Sequence, residues 1–180
     1  MAAVIFLGSG LVNVLKRIDD NQIQCHFFVS EKDTFKVETI DSSANELLDD
    51  FEFLYYICDL KNNNIRMTES IKEDKVIVCS AVGGNSSIYL PLLVNSLIKA
   101  GKEVHCIIQQ PLLLDDEEFH ETFEYVYHYL KNMTDNIDLI KAKELIPANQ
   151  DVSILDLYNF LDNSIYRLLM NKIEQINNLC

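Results

Sequence analysis

The sequence predicts a three-layer α/β domain with a mainly parallel β-sheet. Three features support this class: strand-length apolar runs, helical patterns between the runs, and glycine turns where two of the runs pass into helices. The runs are rich in Val, Ile, Phe, Tyr and Cys and are almost continuously apolar, as expected of strands covered on both faces. Strands that alternate with helices favour right-handed crossovers and therefore parallel neighbours.

Five runs are predicted as buried strands, and a sixth, weaker run is expected to add one more. They span residues 3–7, 24–29, 51–58, 75–80, 103–109 and, for the weak run, 137–142. Apolar residues at three- and four-residue spacing predict helices over 11–18, 42–49, 87–100, 117–133 and 154–179. Gly101 stands where a helix-ending glycine belongs, and the last helix is long enough to bend or break once.

Length and composition fit a single globular unit. The chain has 180 residues, of which 48% are hydrophobic and 24% charged. We see no boundary and predict one domain over residues 1–180. The net charge of −13 would repel phosphate backbones and anionic membranes, which makes nucleic acid a poor partner. No apolar run reaches the roughly 20 residues of a membrane span.

The cysteines and histidines show no metal-binding pattern. None of the five cysteines forms a CxxC pair or a zinc-type cluster with the four histidines, so no metal site is expected. Cys58, Cys79 and Cys106 lie within apolar runs and are expected to be buried thiols of a reduced, cytoplasmic protein. His26 and His105 alternate with apolar residues and are expected to be strand residues rather than ligands.

A first glycine loop, Gly8-Ser9-Gly10, follows the first strand and leads through Asn13 into a helix. Glycine allows a sharp turn and a close approach of the backbone to a ligand, and the start of the helix offers N–H groups to a phosphate. A dinucleotide-binding loop would have a third glycine where Asn13 stands. Taken alone, the loop is equally compatible with an ordinary strand-to-helix turn.

A second glycine loop follows the strand predicted over 75–80. Its residues are Gly83, Gly84, Asn85, Ser86 and Ser87. Their amide and hydroxyl groups could cap the following helix, donate to phosphate oxygens, or do both. The loop contains no lysine and is therefore not a Walker A loop.

The two loops, taken in order along the chain, resemble those of the tubulin/FtsZ family. Residues 8–13 and the following Arg17 are similar to the family's first glycine-rich loop, which ends in Asn and precedes an arginine. Residues 82–88 are similar to its GGGTGTG signature, and Pro91 stands early in the next helix, as in the family.

Two later segments continue the resemblance in the same order. Pro111 and Asp115 follow the fifth predicted strand, where the family has K-P-F and then an acidic residue. Residues 155–162 fit the family's L-D-x-F-x-x-x-N segment, which stacks on and hydrogen-bonds the guanine base. Tyr158 takes the stacking position, and Asp162 stands in place of the asparagine.

The resemblance implies a Rossmann-like nucleotide-binding domain of the tubulin/FtsZ type, without the family's second domain. It implies GTP or GDP as the ligand and a homo-oligomer or another protein as partner, with a role in cell division or the cytoskeleton. The ligand-binding residues that it implies are Gly8, Ser9, Gly10, Asn13, Gly83, Gly84, Asn85, Ser86, Ser87, Asp115, Tyr158 and Asp162.

Departures from the family pattern weaken the expected chemistry. Ile88 replaces a glycine where its side chain would crowd a phosphate, and the family's arginine position holds Phe119 or His120. The family's hydrolysis loop would follow the last residues of this chain. We therefore expect weak nucleotide binding at most, no catalytic residue, no GTPase activity by the isolated chain, and a role exerted mainly through protein contacts.

Two alternative functions stay open. A Rossmann-like enzyme could bind NAD or a nucleoside at the loop from Gly8 to Asn13 and make no use of the second loop. A purely structural interaction domain would instead offer the apolar face of the final helix to a partner or to a second copy.

Overall fold

In the described part of the chain, five parallel strands form one sheet. The computed structural model describes residues 2–18, 24–28, 71–82, 87, 89–141, 144 and 152–178. The strands are β1 (Ala2–Leu7), β2 (Gln24–Phe28), β3 (Lys75–Ala81), β4 (Glu103–Gln109) and β5 (Ile137–Ile140). They lie in the order β2-β1-β3-β4-β5, and each neighbouring pair is parallel. Each strand agrees with its predicted bounds within two residues, whereas the strand predicted over 51–58 and the helix predicted over 42–49 lie outside the described residues.

The helices differ more from the prediction than the strands do. They are α1 (Val12–Leu15), α2 (Leu90–Lys99), α3 (Glu117–Lys131) and α4 (Ile154–Asn178) in the described ranges. The helix predicted over 11–18 is much shorter, because the N–H groups of Arg17 and Ile18 bond to carbonyls only three residues back and tighten the chain. The final stretch, which is long enough to bend or break once, forms one unbroken helix of 25 residues. Within the described segments, no helix is long and apolar enough to cross a membrane.

Helices cover both faces of the sheet, which explains why the strand sequences are apolar at successive positions. Val4, Phe6 and Ile77 belong to a core that includes α1 and α4. The alternate strand positions belong to a second core that includes α2 and α3, with Ile5 and Val78 as examples. All six residues of β1 are buried. The predicted three-layer α/β class is confirmed.

Gly101 ends α2 as predicted. Its φ of 80° lies in the left-handed region that a side chain disfavours. The Gly101 N–H bonds to the Ile98 carbonyl at 2.9 Å, and the Lys102 N–H bonds to the Leu97 carbonyl at 3.0 Å. This pair of hydrogen bonds is the Schellman arrangement that satisfies the last carbonyls of a helix.

Buried thiols agree with the prediction from the apolar runs. Cys79 and Cys106 are both buried, one in each core. Burial raises the pKa of the Cys106 thiol to about 12. Such a thiol stays protonated at neutral pH and acts as a small apolar side chain. Cys58 lies outside the described residues.

Two contacts, one in each half of α4, show the direction of this helix relative to the strands. Near its start, Asp162 meets Asn13, which follows the carboxyl end of β1. Ten residues later, Lys172 Nζ lies 3.5 Å from Asp138 Oδ2, near the start of β5. The helix therefore runs antiparallel to the strands and brings its first turns to the edge where the strands end.

Candidate functional site

The two glycine loops follow β1 and β3, which are neighbours in the sheet at the point where the strand order reverses. β1 lies between β2 and β3, so the chain builds the sheet outward from β1 in both directions. In open parallel sheets, ligands bind outside the carboxyl ends of the strands at such a switch point. A Cβ atom added to Gly10 would lie 3.7 Å from the Cβ of Ala81, the last residue of β3. The first loop therefore lies against the point where the second loop begins.

The first loop makes a sharp turn that requires glycine at one position. Gly8 has a φ of 100°, which side chains rarely adopt. Its carbonyl accepts a weak hydrogen bond of 3.4 Å from the Leu11 N–H, and Ser9–Leu11 forms a 3-10 turn. Gly10 is exposed at the surface of this turn. Because α1 has only four residues, its dipole is small, and any anion here would depend mainly on loop N–H groups.

Little of the second loop can be described. Gly83, Gly84, Asn85 and Ser86 lie outside the described residues, whereas Ser87 is fully buried. The helix predicted to start at position 87 starts at Leu90, with Pro91 in its first turn and Tyr89 as N-cap residue without a side-chain cap. Ser87 therefore does not occupy the N-cap position of α2.

Asp115 closes the turn that follows β4. Its Oδ2 atom accepts a hydrogen bond of 2.7 Å from the Leu112 N–H, while the Asp115 N–H bonds back to the Leu112 carbonyl at 3.0 Å. Pro111 and Leu112 are buried, and Leu113 and Leu114 project into solvent. Asp115 thus shapes a turn at the carboxyl edge of the sheet, the same edge as the glycine loops.

Asp162 and Asn13, which are 149 positions apart in the sequence, meet in the structure. Asp162 is buried on α4, with 6% of its surface exposed, and the Asn13 side-chain amide donates a hydrogen bond to its carboxylate. Arg17, one turn after Asn13, donates to Asn163 Oδ1 through its guanidinium group. Two side-chain contacts therefore join the segment after β1 to the first half of α4.

The charge on Asp162 is set by opposing effects. Burial raises the pKa of the Asp162 carboxyl above its ordinary value, and this effect is the largest. Attraction by the Arg17 guanidinium and the hydrogen bond from Asn13 both lower the pKa and offset part of the rise. The site thus holds a buried acceptor whose ionised form is supported by one cation and one amide.

The Tyr158 ring stands one helical turn before Asp162 on the same side of α4. Tyr158 is 47% exposed, between the buried Leu157 and Leu161 that anchor the helix to the sheet. A carboxylate has about four acceptor positions, so Asp162 can accept from Asn13 and still accept N–H groups of a base. Asp162 and Tyr158 thus place a hydrogen-bond acceptor and an aromatic ring on the same side of α4.

Sequence reasoning missed Asn163, the residue that accepts from Arg17. The only available signal was its position directly after Asp162, which does not reveal which side of α4 it faces. A second polar group was also missed: His105 Nε2 lies 2.7 Å from Asp138 Oδ2, which Lys172 also approaches. His105 is a strand residue, as predicted. The described ranges contain no group of three His, Cys, Asp or Glu side chains able to hold a metal.

Comparisons with known proteins find similarity in fold. No protein-family model matches the chain, and no curated protein matches its sequence. Among solved structures, CetZ from Methanosaeta thermophila strain DSM 6194, of the tubulin/FtsZ family, is similar with a TM-score of 0.66 and 13% identity. The match covers 96% of this chain and 54% of CetZ, so the chain spans about half the length of that protein. The chain therefore has a tubulin/FtsZ-like α/β fold.

Proposed function

We propose that this chain is a divergent tubulin/FtsZ-like protein that binds a guanine nucleotide weakly and acts mainly through protein contacts. The observation that carries the proposal is the hydrogen bond from Asn13 to the buried Asp162 carboxylate. It joins two residues that the family resemblance assigns to the nucleotide site. The similarity of fold to CetZ supports the fold that the resemblance implies, and residues 1–180 then form one nucleotide-binding-type domain.

In the proposed complex, each part of the nucleotide has a counterpart in the chain. Asp162 accepts hydrogen bonds from the N1 and N2 amide groups of guanine, and the Tyr158 ring stacks on the base. Backbone N–H groups of the first loop, from Gly8 to Gly10, and of the loop from Gly83 to Ser87 bind phosphate oxygens. Asp115 keeps the turn after β4 closed beside them through its bond to the Leu112 N–H.

Two features make the proposed binding weak and the isolated chain inactive. In the second loop, Ile88 takes a position where a glycine would leave room for a phosphate. The first turn of α3 carries Phe119 and His120 where the family has an arginine. Phosphoryl transfer depends on cations that stabilise the charge on the γ-phosphate, so we expect no sustained release of phosphate.

A cytoplasmic role in the cytoskeleton or in cell division is part of this proposal, through assembly with a second copy or with another protein. It rests on the resemblance and on the similarity of fold. A Rossmann-like enzyme that uses NAD is the other candidate. No feature of the described loop from Gly8 to Asn13 favours it, since its third glycine is missing and α1 is only four residues long.

Titration with a fluorescent GTP analogue tests the proposal. We expect a dissociation constant weaker than about 10 µM, and a loss of about tenfold or more for Asp162→Ala, because a base amide would lose its acceptor. Glu174→Gln is the matched control, since Glu174 is an exposed carboxylate of the same helix, three turns further on. It should leave the affinity unchanged.

Three results would contradict parts of the proposal. Equal affinities of Asp162→Ala and wild type would remove Asp162 from the site. Steady phosphate release from GTP would overturn the inactive assignment. A rise in melting temperature with NAD but not with GDP would favour the alternative, because a ligand that binds only the folded state raises the melting temperature.

A further inference from the structure

Helix α3 exposes two neighbouring tyrosine rings to solvent. Tyr125 is 67% exposed and Tyr129 is 48% exposed. Their ring centroids lie 6.0 Å apart and the ring planes are tilted by 35°. The helix packs on the sheet with a different side, which carries the buried Phe123, Val126 and Leu130. The tyrosine pair is therefore not needed to hold α3 in place.

Exposed carboxylates line the same side of the helix. Glu121 stands one turn before Tyr125, and Glu118 stands two turns before it. Both glutamates are exposed, and neither forms an ion pair within the described part of the chain. We call the surface of Glu118, Glu121, Tyr125 and Tyr129 the aromatic–acidic face. It combines two ring faces with two unneutralised negative charges.

The same helix shows what such rings bind. Lys131 is the only Lys or Arg in α3, and its Nζ atom lies 5.0 Å from the centroid of the Tyr127 ring. This is a cation–π contact on another side of α3. The aromatic–acidic face offers the same ring chemistry at Tyr125 and Tyr129 but contains no cation of its own.

An arginine side chain fits this face better than other groups. Its planar guanidinium can stack on a tyrosine ring while its N–H groups bond to a carboxylate in a bidentate manner. Two rings and two carboxylates within three helical turns accommodate more than one such side chain. A second copy of this chain is disfavoured on this face, because each copy carries a net charge of −13.

We propose that the aromatic–acidic face of α3 docks an arginine-containing basic segment of a partner protein. The net negative charge of the chain attracts such a segment at long range, and the tyrosine pair with its two glutamates supplies the local recognition. The face uses none of the residues assigned to the proposed nucleotide site, and its binding to a basic segment does not require a nucleotide.

A labelled synthetic peptide of alternating Arg and Ala residues serves as the probe, with binding followed by fluorescence anisotropy at moderate salt. Tyr125→Ala/Tyr129→Ala should weaken binding about five- to twentyfold, as expected for the loss of two exposed cation–π contacts. A peptide with Lys in place of Arg should bind more weakly than the Arg peptide, because an ammonium group cannot stack or form bidentate bonds.

Two double glutamate variants distinguish recognition by the aromatic–acidic face from attraction by the net charge of the chain. Glu118→Gln/Glu121→Gln removes two charges from the face, whereas Glu117→Gln/Glu124→Gln removes two exposed charges of the same helix whose positions lie farther round it from both tyrosines. We expect a loss of at least threefold more for the first pair than for the second. Equal losses for the two pairs, or unchanged binding after loss of both tyrosines in a variant that keeps its circular dichroism spectrum, would overturn the proposal.

If the tyrosine variant does not fold, the glutamate comparison still decides, since all four glutamates are exposed. Wild-type protein that binds the Lys and Arg peptides equally well would also overturn the proposal, because attraction between net charges would then account for the binding.

Discussion

The two faces of the sheet use buried polar groups in different ways. On the α1/α4 face, the buried Asp162 is held by Asn13 and Arg17, and Asp138 joins His105 on β4 to α4. The core on the α2/α3 face consists of apolar side chains and Cys106. Ser80, near the end of β3, is buried beside this core and donates a weak hydrogen bond of 3.4 Å to the Leu7 carbonyl.

The difference distinguishes a face that mainly contributes apolar packing from a face that also holds a buried charged group. An apolar core stabilises the fold without restricting which ligand is bound, whereas a buried carboxylate costs free energy unless a donor or a cation supports it. The α1/α4 face contains such a carboxylate, Asp162, at the edge where the strands end. The proposed nucleotide site lies at this edge. On the α2/α3 face, the groups proposed to bind a partner are those of the aromatic–acidic face, and they lie on the outer surface of α3.

The largest effect should come from a cavity in either core. Leu93→Ala on α2 and Leu169→Ala on α4 each truncate a fully buried side chain. Each should lower the free energy of unfolding by about 2–5 kcal/mol in urea titrations. Nucleotide affinity of the folded protein should survive Leu93→Ala. A loss of affinity in that variant would show that the two faces are more strongly coupled than their chemistry suggests.

The next largest loss of stability should come from a substitution of Gly8, which lies in the turn after β1 and belongs to the proposed site. Gly8→Ala places a side chain at a φ of 100° and should cost roughly 1–2 kcal/mol of stability. Gly10→Ala is the matched control, because its Cβ atom would meet the Cβ of Ala81 at an ordinary 3.7 Å. Thermal melts of both variants give the comparison, and equal costs would refute the assignment of strain to Gly8.

A smaller effect should appear in the pH dependence of Asp162→Asn. Because the pKa of Asp162 is raised in the folded state, the folded protein binds this proton more tightly than the unfolded chain does. The stabilising contribution of the protonated group is complete below the unfolded pKa and is lost as the pH rises through the folded pKa. The variant should therefore gain stability relative to wild type between acidic and neutral pH.

Melting temperatures measured in parallel over that range test this expectation. The gain should be smaller than the cost of Gly8→Ala, since Asn13 and Arg17 already support the carboxylate. A difference between the two proteins that does not change with pH would mean that Asp162 titrates as in an unfolded chain. The comparison of the faces would then lose its main electrostatic argument.

The smallest effect should come from the ion pair between Lys172 and Asp138. Their side chains are 23% and 35% exposed and their charged atoms lie 3.5 Å apart, so solvent screens the attraction. A double-mutant cycle with Lys172→Ala and Asp138→Ala should give a coupling free energy of about 0.2–1 kcal/mol that decreases with salt. A coupling above that range would make this contact an anchor of α4.

The sequence predicted the strands better than the helices. Every described strand lies where its apolar run is, because burial on both faces leaves a continuous signal. The first helix was predicted too long, since the apolar residues Val14, Leu15 and Ile18 pack against the sheet whether or not the chain around them is helical. Gly101 was predicted correctly because the requirement for a left-handed residue is local.

The candidate site was predictable only through resemblance. Asn13 and Asp162 came from separate motifs, and nothing in their local sequences shows that they touch. The partners Arg17 and Asn163 depend on which sides of α1 and α4 face each other, which is a property of packing. The Tyr125 and Tyr129 pair has a helical spacing like that of core residues, so its exposure is also a tertiary result.

What the sequence determined by itself is the α/β class, the bounds of the strands, the end of α2 and the positions of the glycine loops. Each follows from local patterns of burial or from one backbone conformation. The tertiary structure alone decided the strand order, the meeting of the first loop with α4, and which aromatic side chains stay exposed. These depend on contacts between distant residues, whose free energies no local pattern of residues encodes.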